Sequence, residues 1–305
     1  MYLPLSRIGV SYIALFAISA FGQVRRDAAV RATADLTEIA RRPGSRAVAA
    51  DAPQREVYEP ERAVRRHNAT GARSATPRLP EPVRAPGAST VPSFSGFAAL
   101  ADNFTTIPPD TEGAVGPKHL VTMLNTQVLI QSRTGAAQSG FPITLNAFWS
   151  PLGDFTDTFD PRVLYDSAGD RWIAAAAVNG SKSTSALLLA ATLTGDPTGK
   201  WNYYQINVGN SNQWGDFPTL GFNANWIVVS MNLFRIRGSG DYIATDLYVF
   251  SKADIYDPNG TGKNTSFPDL DGEFTPVRDS DNGSPETLYL AQEFPTDFAS
   301  ASASP

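Results

Sequence analysis

The sequence predicts an all-β domain behind a non-globular N-terminal stretch. Three observations carry this. An Asp-headed segment recurs at near-even spacing between residues 105 and 298. Each recurrence is followed by apolar runs short enough to be strands. Gly, Pro, Asn, Asp and Ser cluster between those runs, and 24 Gly with 23 Pro in 305 residues exceed the usual share.

The chain opens with one positive charge, Arg7, before an apolar run from Ile8 to Phe21. That run has the length of a signal-peptide core and is short of the ~20 residues that span a bilayer. Ala20-Phe21-Gly22 places small residues at the cleavage positions, so residues 1–22 are expected to be removed before Gln23. The implied compartment is secreted, extracellular or periplasmic, with no transmembrane anchor after cleavage. The chain has no Cys, which excludes disulfides, thiolate metal sites and a cysteine nucleophile.

Residues 23–92 are rich in Arg, Ala, Pro and Thr. A weak helix fits 24–42, with Ala28, Ala32, Leu36 and Ile39 on one side. Eight prolines and few large apolar residues follow over 43–92. Such composition buries too little surface to offset ordering entropy, so 23–92 is expected to be a disordered spacer or propeptide. Residues 299–305, Ala-Ser-Ala-Ser-Ala-Ser-Pro, form a low-complexity tail.

Charge divides the chain. Thirteen Arg face eight acidic residues over 23–90, whereas 11 Lys or Arg face 22 acidic residues from Val91 onward. The acidic half carries the fold signal, which argues against nucleic acid as its partner.

The repeat gives the architecture. Asp110, Asp160, Asp216 and Asp271 lie 50, 56 and 55 residues apart. After Asp160 come Val163-Leu-Tyr-Asp, a Ser-Ala-Gly-Asp turn and Trp172-Ile-Ala-Ala. After Asp216 come Leu220-Gly-Phe, an Asn-Ala-Asn turn and Trp226-Ile-Val-Val. Ala186–Thr194 and Trp201–Ile206 supply two further strands to their unit, and Leu247–Phe250 does so in the next. Four short strands per unit match the blade of a β-propeller, which buries its faces by packing on its neighbours. The domain at 93–298 then holds about three and a half blades, a partial propeller. A β-sandwich is the alternative architecture.

Pro108-Pro-Asp110-Thr-Glu-Gly-Ala-Val-Gly-Pro-Lys-His119 resembles a signature of large secreted bacterial proteins with sialidase-like propellers. Asp160-Pro-Arg-Val-Leu-Tyr-Asp with Arg171-Trp172, Asp216-Phe-Pro-Thr-Leu-Gly and Thr287-Leu-Tyr-Leu are similar to it as well. The resemblance covers about residues 105–294. It implies a secreted propeller and brings no catalytic residues with it. Such proteins normally run on for several more blades.

Candidate chemistry is sparse. Asp110, Asp160 and Asp216 would sit at the start of inner strands, where a ring of carboxylates would serve a Ca²⁺ ion or general acid/base work. Capping of their own turns is the simpler role. Asp279-Ser-Asp281-Asn-Gly283 matches the first two ligand positions of a calcium loop and then departs from it. Trp149 and Trp214 fall outside the repeat positions, in polar loops, and are the candidate ligand-contacting aromatics. Arg162 and Tyr165 are what the chain offers toward a sialidase set, without an evident triad. His119 is the one His of the folded part, so a His-rich zinc site is not expected. Ca²⁺ is the one cofactor with any candidate ligands. The expected function is non-catalytic binding of an extracellular carbohydrate or protein. The alternatives are a sialidase-like glycoside hydrolase, or a truncated fragment without activity of its own.

Overall fold

A computed structural model describes residues 22–47, 55–56, 96–238, 240–280 and 286–292. The expected signal peptide, the later part of the expected spacer and the Ala-Ser tail lie outside the described residues. The fold is all-β with antiparallel sheets, and none of them closes into a barrel. No helix among the described residues is long and apolar enough to cross a membrane.

The N-terminal segment departs from expectation. It forms β1 (Val24–Arg26), β2 (Val30–Asp35) and a short helix, α1 (Leu36–Arg41). Residues 24–47 of the expected spacer are thus an integral part of the fold, and the helix expected over 24–42 is confined to its last turn and a half. Ala32, Ala34 and Leu36 alternate, which is strand period, and all three pack on the core. Asp35 ends the strand and starts the helix by accepting from the N–H groups of Thr37 and Glu38, at 2.9 and 3.3 Å. A two-residue strand β3 (Arg55–Glu56) pairs in parallel with β4 (Thr106–Ile107).

Three sheets follow in chain order, each a meander. The first contains β5 (Glu112–Val115), β6 (His119–Met123), β7 (Gln127–Ser132) and β8 (Ile143–Thr144). It leads through α2 (Leu145–Trp149) to the second, with β9 (Thr158–Asp166), β10 (Arg171–Val178), β11 (Ala186–Thr192) and β12 (Lys200–Asn207). The third holds β13 (Gln213–Phe222), β14 (Trp226–Arg235) and β15 (Tyr242–Ser251) and, after α3 (Lys252–Ile255), β16 (Asn264–Leu270). A final pair, β17 (Phe274–Pro276) and β18 (Leu290–Gln292), lies on the outer face of the third sheet.

The N-terminal strap runs across the outer edges of these sheets in reverse order. β1 pairs with β16 of the third sheet and β2 with β12 of the second. Arg46 then bridges to Ile143 on β8 of the first. Unpaired outer edges invite association with other chains, and the strap covers all three.

The second sheet is buried on both faces, which explains its continuous apolar runs. Ala174, Ala176, Val178, Leu188 and Ala190 face the first sheet. Ile173, Ala175, Ala177, Leu187 and Leu189 face the third. The run of Ala on β10 lets the neighbouring sheets approach closely. Trp172 fills the gap between first and second sheets and donates its indole N–H to Gly195 O at 3.0 Å. A Cβ on Gly116 would come within 2.6 Å of that indole, so only glycine fits there.

The first strands of successive units meet along one side of the stack. β5 lies beside β9, β9 beside β13, and β13 beside β17. This meeting line positions the candidate site.

Candidate functional site

Each Asp at the head of a unit sits where backbone regularity fails. Asp110 and Asp160 have φ of 45° and 50°, and Phe217, next to Asp216, has φ of 51°. Pairing of β9 with β10 shifts between Ala175 and Ala177, and that of β13 with β14 shifts between Asp216 and Thr219. These are β-bulges next to Asp160-Pro161 and Phe217-Pro218, where proline cannot donate to the ladder. Asp tolerates the left-handed region better than most residues, whereas a Phe there is a marked outlier.

The bulges turn polar side chains toward one another. Asn125, in the β6–β7 turn and buried, donates its amide N–H to Pro108 O at 2.9 Å and to the Asp110 carboxylate. Its amide oxygen accepts from the Asp160 N–H at 2.7 Å. Asn125 thereby links the Asp110 side chain to the backbone of Asp160. Burial pushes the Asp160 carboxyl well above the usual carboxylate range, and the charges of Asp216 and Asp110 push it further. Arg162 acts against that shift without cancelling it. Asp216, also buried, accepts from the N–H of Phe217 at 2.8 Å.

Arg162 ties the meeting line together. It donates to the Glu112 carboxylate on β5 and, through Nε at 2.7 Å, to Pro218 O on β13. Its guanidinium carbon lies 4.9 Å from the centre of the Phe217 ring, a cation–π contact. One side chain on β9 therefore reaches both neighbouring inner strands. The sequence offered Arg162 only toward a sialidase set, and Glu112 and Asn125 carried no signal, because their partners lie 50 and 35 residues away.

The other expected site residues fall elsewhere. Trp149 and Trp214 are core residues, at 0% and 1% exposure, so neither is the surface ligand contact expected of it. Trp149 packs edge-on with Phe148 and Tyr203 between the first two sheets, because α2 rolls its apolar side inward. Trp214 lies between Phe159 and Phe234. Tyr165 points to Asp170, donating at 2.6 Å, and burial pushes its phenol up to about 12. That bond and the raised value leave it a poor nucleophile.

Asp279 donates its backbone N–H to Phe222 O at the end of β13, while Asp281 lies outside the described residues. Among the described residues no three His, Cys, Asp or Glu side chains are grouped so as to hold a metal ion. A second polar network joins the second and third sheets: Asp166 accepts from Lys252 at 2.6 Å and from the Tyr256 hydroxyl at 2.8 Å.

Comparison of the chain with models of protein families, with curated proteins and with solved structures gives no match.

Proposed function

We propose that this chain is a secreted β-propeller module of the sialidase-like kind that binds an extracellular carbohydrate or protein without catalysing a reaction. The three meanders are read as blades and β17–β18 as the start of a fourth. The observation that carries this reading is the side-by-side order β5, β9, β13 and β17 along one line, with a sheet flanked on both faces in the middle. A sandwich supplies one inner face per sheet, whereas radial packing supplies two.

Non-catalytic binding is favoured over hydrolysis by what the polar groups are already doing. Asp160 is 7% exposed, Arg162 is engaged by Glu112 and Pro218, and Tyr165 is engaged by Asp170. A retaining or inverting hydrolase needs two carboxyl groups that reach a sugar from either side. Here Asp110 is held by Asn125 and Asp160 is buried beside it.

The test is a panel of 4-methylumbelliferyl glycosides, sialoside included, incubated with the full chain, together with a printed glycan array and immobilised extracellular-matrix proteins. The expected result is saturable binding to one of these surfaces and no release of fluorophore above buffer. Turnover that disappears in Asp160→Asn would overturn the proposal in favour of a hydrolase.

A further inference from the structure

We propose, resting on the binding reading above, that Phe217, Arg162 and Glu112 form a saccharide site on the meeting line of β5, β9 and β13. The Phe217 ring stacks on the apolar face of a neutral pyranose, and the Arg162–Glu112 pair holds two adjacent hydroxyl groups of that sugar. The inference starts from the backbone of Phe217. Its φ of 51° lies in the left-handed region, where a bulky residue is strained and Gly or Asn is not. Strained residues persist only where their surroundings hold them, and they gather at binding sites.

Core packing does not account for this residue. Phe217 is 38% exposed, whereas Trp214 and Phe222, the other aromatic residues of β13, are each at 1%. Its N–H goes to Asp216 at 2.8 Å, a bond that any residue but proline could donate. The strand shifts register between Asp216 and Thr219, and a bulge of this kind re-aims a side chain. What Phe adds here is therefore its ring, set at the surface 4.9 Å from the Arg162 guanidinium carbon.

The ligand class follows from the three groups together. An aromatic face takes the C–H face of a pyranose. A carboxylate accepts from hydroxyl groups and a guanidinium donates to them in a fixed fork. The Arg162 and Glu112 side chains are part-exposed and bond to each other through Nη1 and Oε1, while Arg162 Nε serves Pro218 O. Nη2 and Oε2 are then the atoms that meet the sugar, one donating and one accepting. The pair carries no net charge, and the Asp216 carboxylate beside Phe217 opposes an anion, which favours a neutral sugar over a sialic or uronic acid.

Saturation-transfer NMR of the full chain with the methyl glycosides of glucose, galactose, mannose and N-acetylneuraminic acid tests the site. A neutral glycoside should bind saturably and the acidic one should not. Phe217→Tyr should keep that binding, whereas Phe217→Asn and Glu112→Gln should weaken it about tenfold or more. Phe217→Asn removes the strain with the ring, so it should melt at or above the parent. A lower melting temperature would make the ring a packing residue and overturn the site. Trp226 is exposed to the same 38% but lies about 20 Å along β14 from Asn232, the partner of Asp216. Trp226→Ala should leave binding unchanged. Binding that survives Phe217→Asn, or that is lost in Trp226→Ala instead, would overturn the site and leave carbohydrate binding itself standing. A parent that binds none of the glycosides also overturns it. Capture by immobilised matrix protein would in that case preserve the wider binding reading, and its absence would remove that reading too.

Discussion

Replacing Asp166 by Asn should be among the most damaging single changes in this protein. The Asp166 carboxylate is almost wholly buried and accepts from the N–H groups of Ala168 and Gly169, at 3.2 and 3.1 Å, as well as from Lys252 and Tyr256. An amide in its place must turn an NH₂ toward one set of those donors. Lys252 also loses its paired carboxylate while its side chain is only 8% exposed. Burial already pushes the Lys252 ammonium down, and Asp166 is the main group opposing that. Breaking a buried pair from one side costs about 3–5 kcal/mol. The Phe222 ring, 4.3 Å from Lys252 Nζ, and the charge of Asp279 remain to support the cation, which favours the low end, about 3 kcal/mol. For a domain of this size that is a fall of about 6–12 °C in melting temperature. Urea titration of Asp166→Asn, Lys252→Met and the double variant completes the cycle, and the double should cost less than the two singles together by about 1.5–3 kcal/mol. If Asp166→Asn falls within about 0.5 kcal/mol of the parent, or the singles simply add, the pair does not hold the second and third sheets together.

Three other outcomes are expected. Gly116→Ala forces a Cβ to within 2.6 Å of Trp172 and should lower the urea midpoint by about 1–3 kcal/mol equivalent with an unchanged m value. Leu188→Ala, at a wholly buried position between the first and second sheets, should cost about 2–5 kcal/mol, measured in the same titration. Deleting residues 24–47 uncovers the outer edges of β16, β12 and β8, so the truncated chain should move from the soluble monomer peak to aggregate on size exclusion. A soluble, monomeric truncation with an unchanged melting temperature would show that the strap is not integral.

Local chemistry made much of the strand pattern legible. The aromatic openings at Trp172 and Trp226 and the Gly, Asn and Asp turns correspond to strand boundaries that the structure shares, whereas Asp160 and Asp216 lie within β9 and β13, at their bulges. The strap was read wrongly for a physical reason. Ala28, Ala32, Leu36 and Ile39 fit a helix, and no helical alternative is excluded by 20 residues considered alone. Val24 takes strand form because Ser266, 242 residues away, offers a sheet edge. Trp149 and Trp214 were misplaced for a related reason: polar neighbours suggested loops, but the rings turn inward to fill space between sheets.

By itself the sequence determined the all-β class, the units headed by Asp110, Asp160 and Asp216, and the acidic balance of the folded part, because propensity, turn chemistry and charge are properties of adjacent residues. Tertiary structure alone decided that Asn125 meets the Asp160 N–H, that Arg162 spans from Glu112 to Pro218, and that the N-terminal strap binds three sheet edges. Those contacts join positions from 35 to more than 200 residues apart, and which of them form depends on how the sheets stack, a choice that no local stretch of sequence makes.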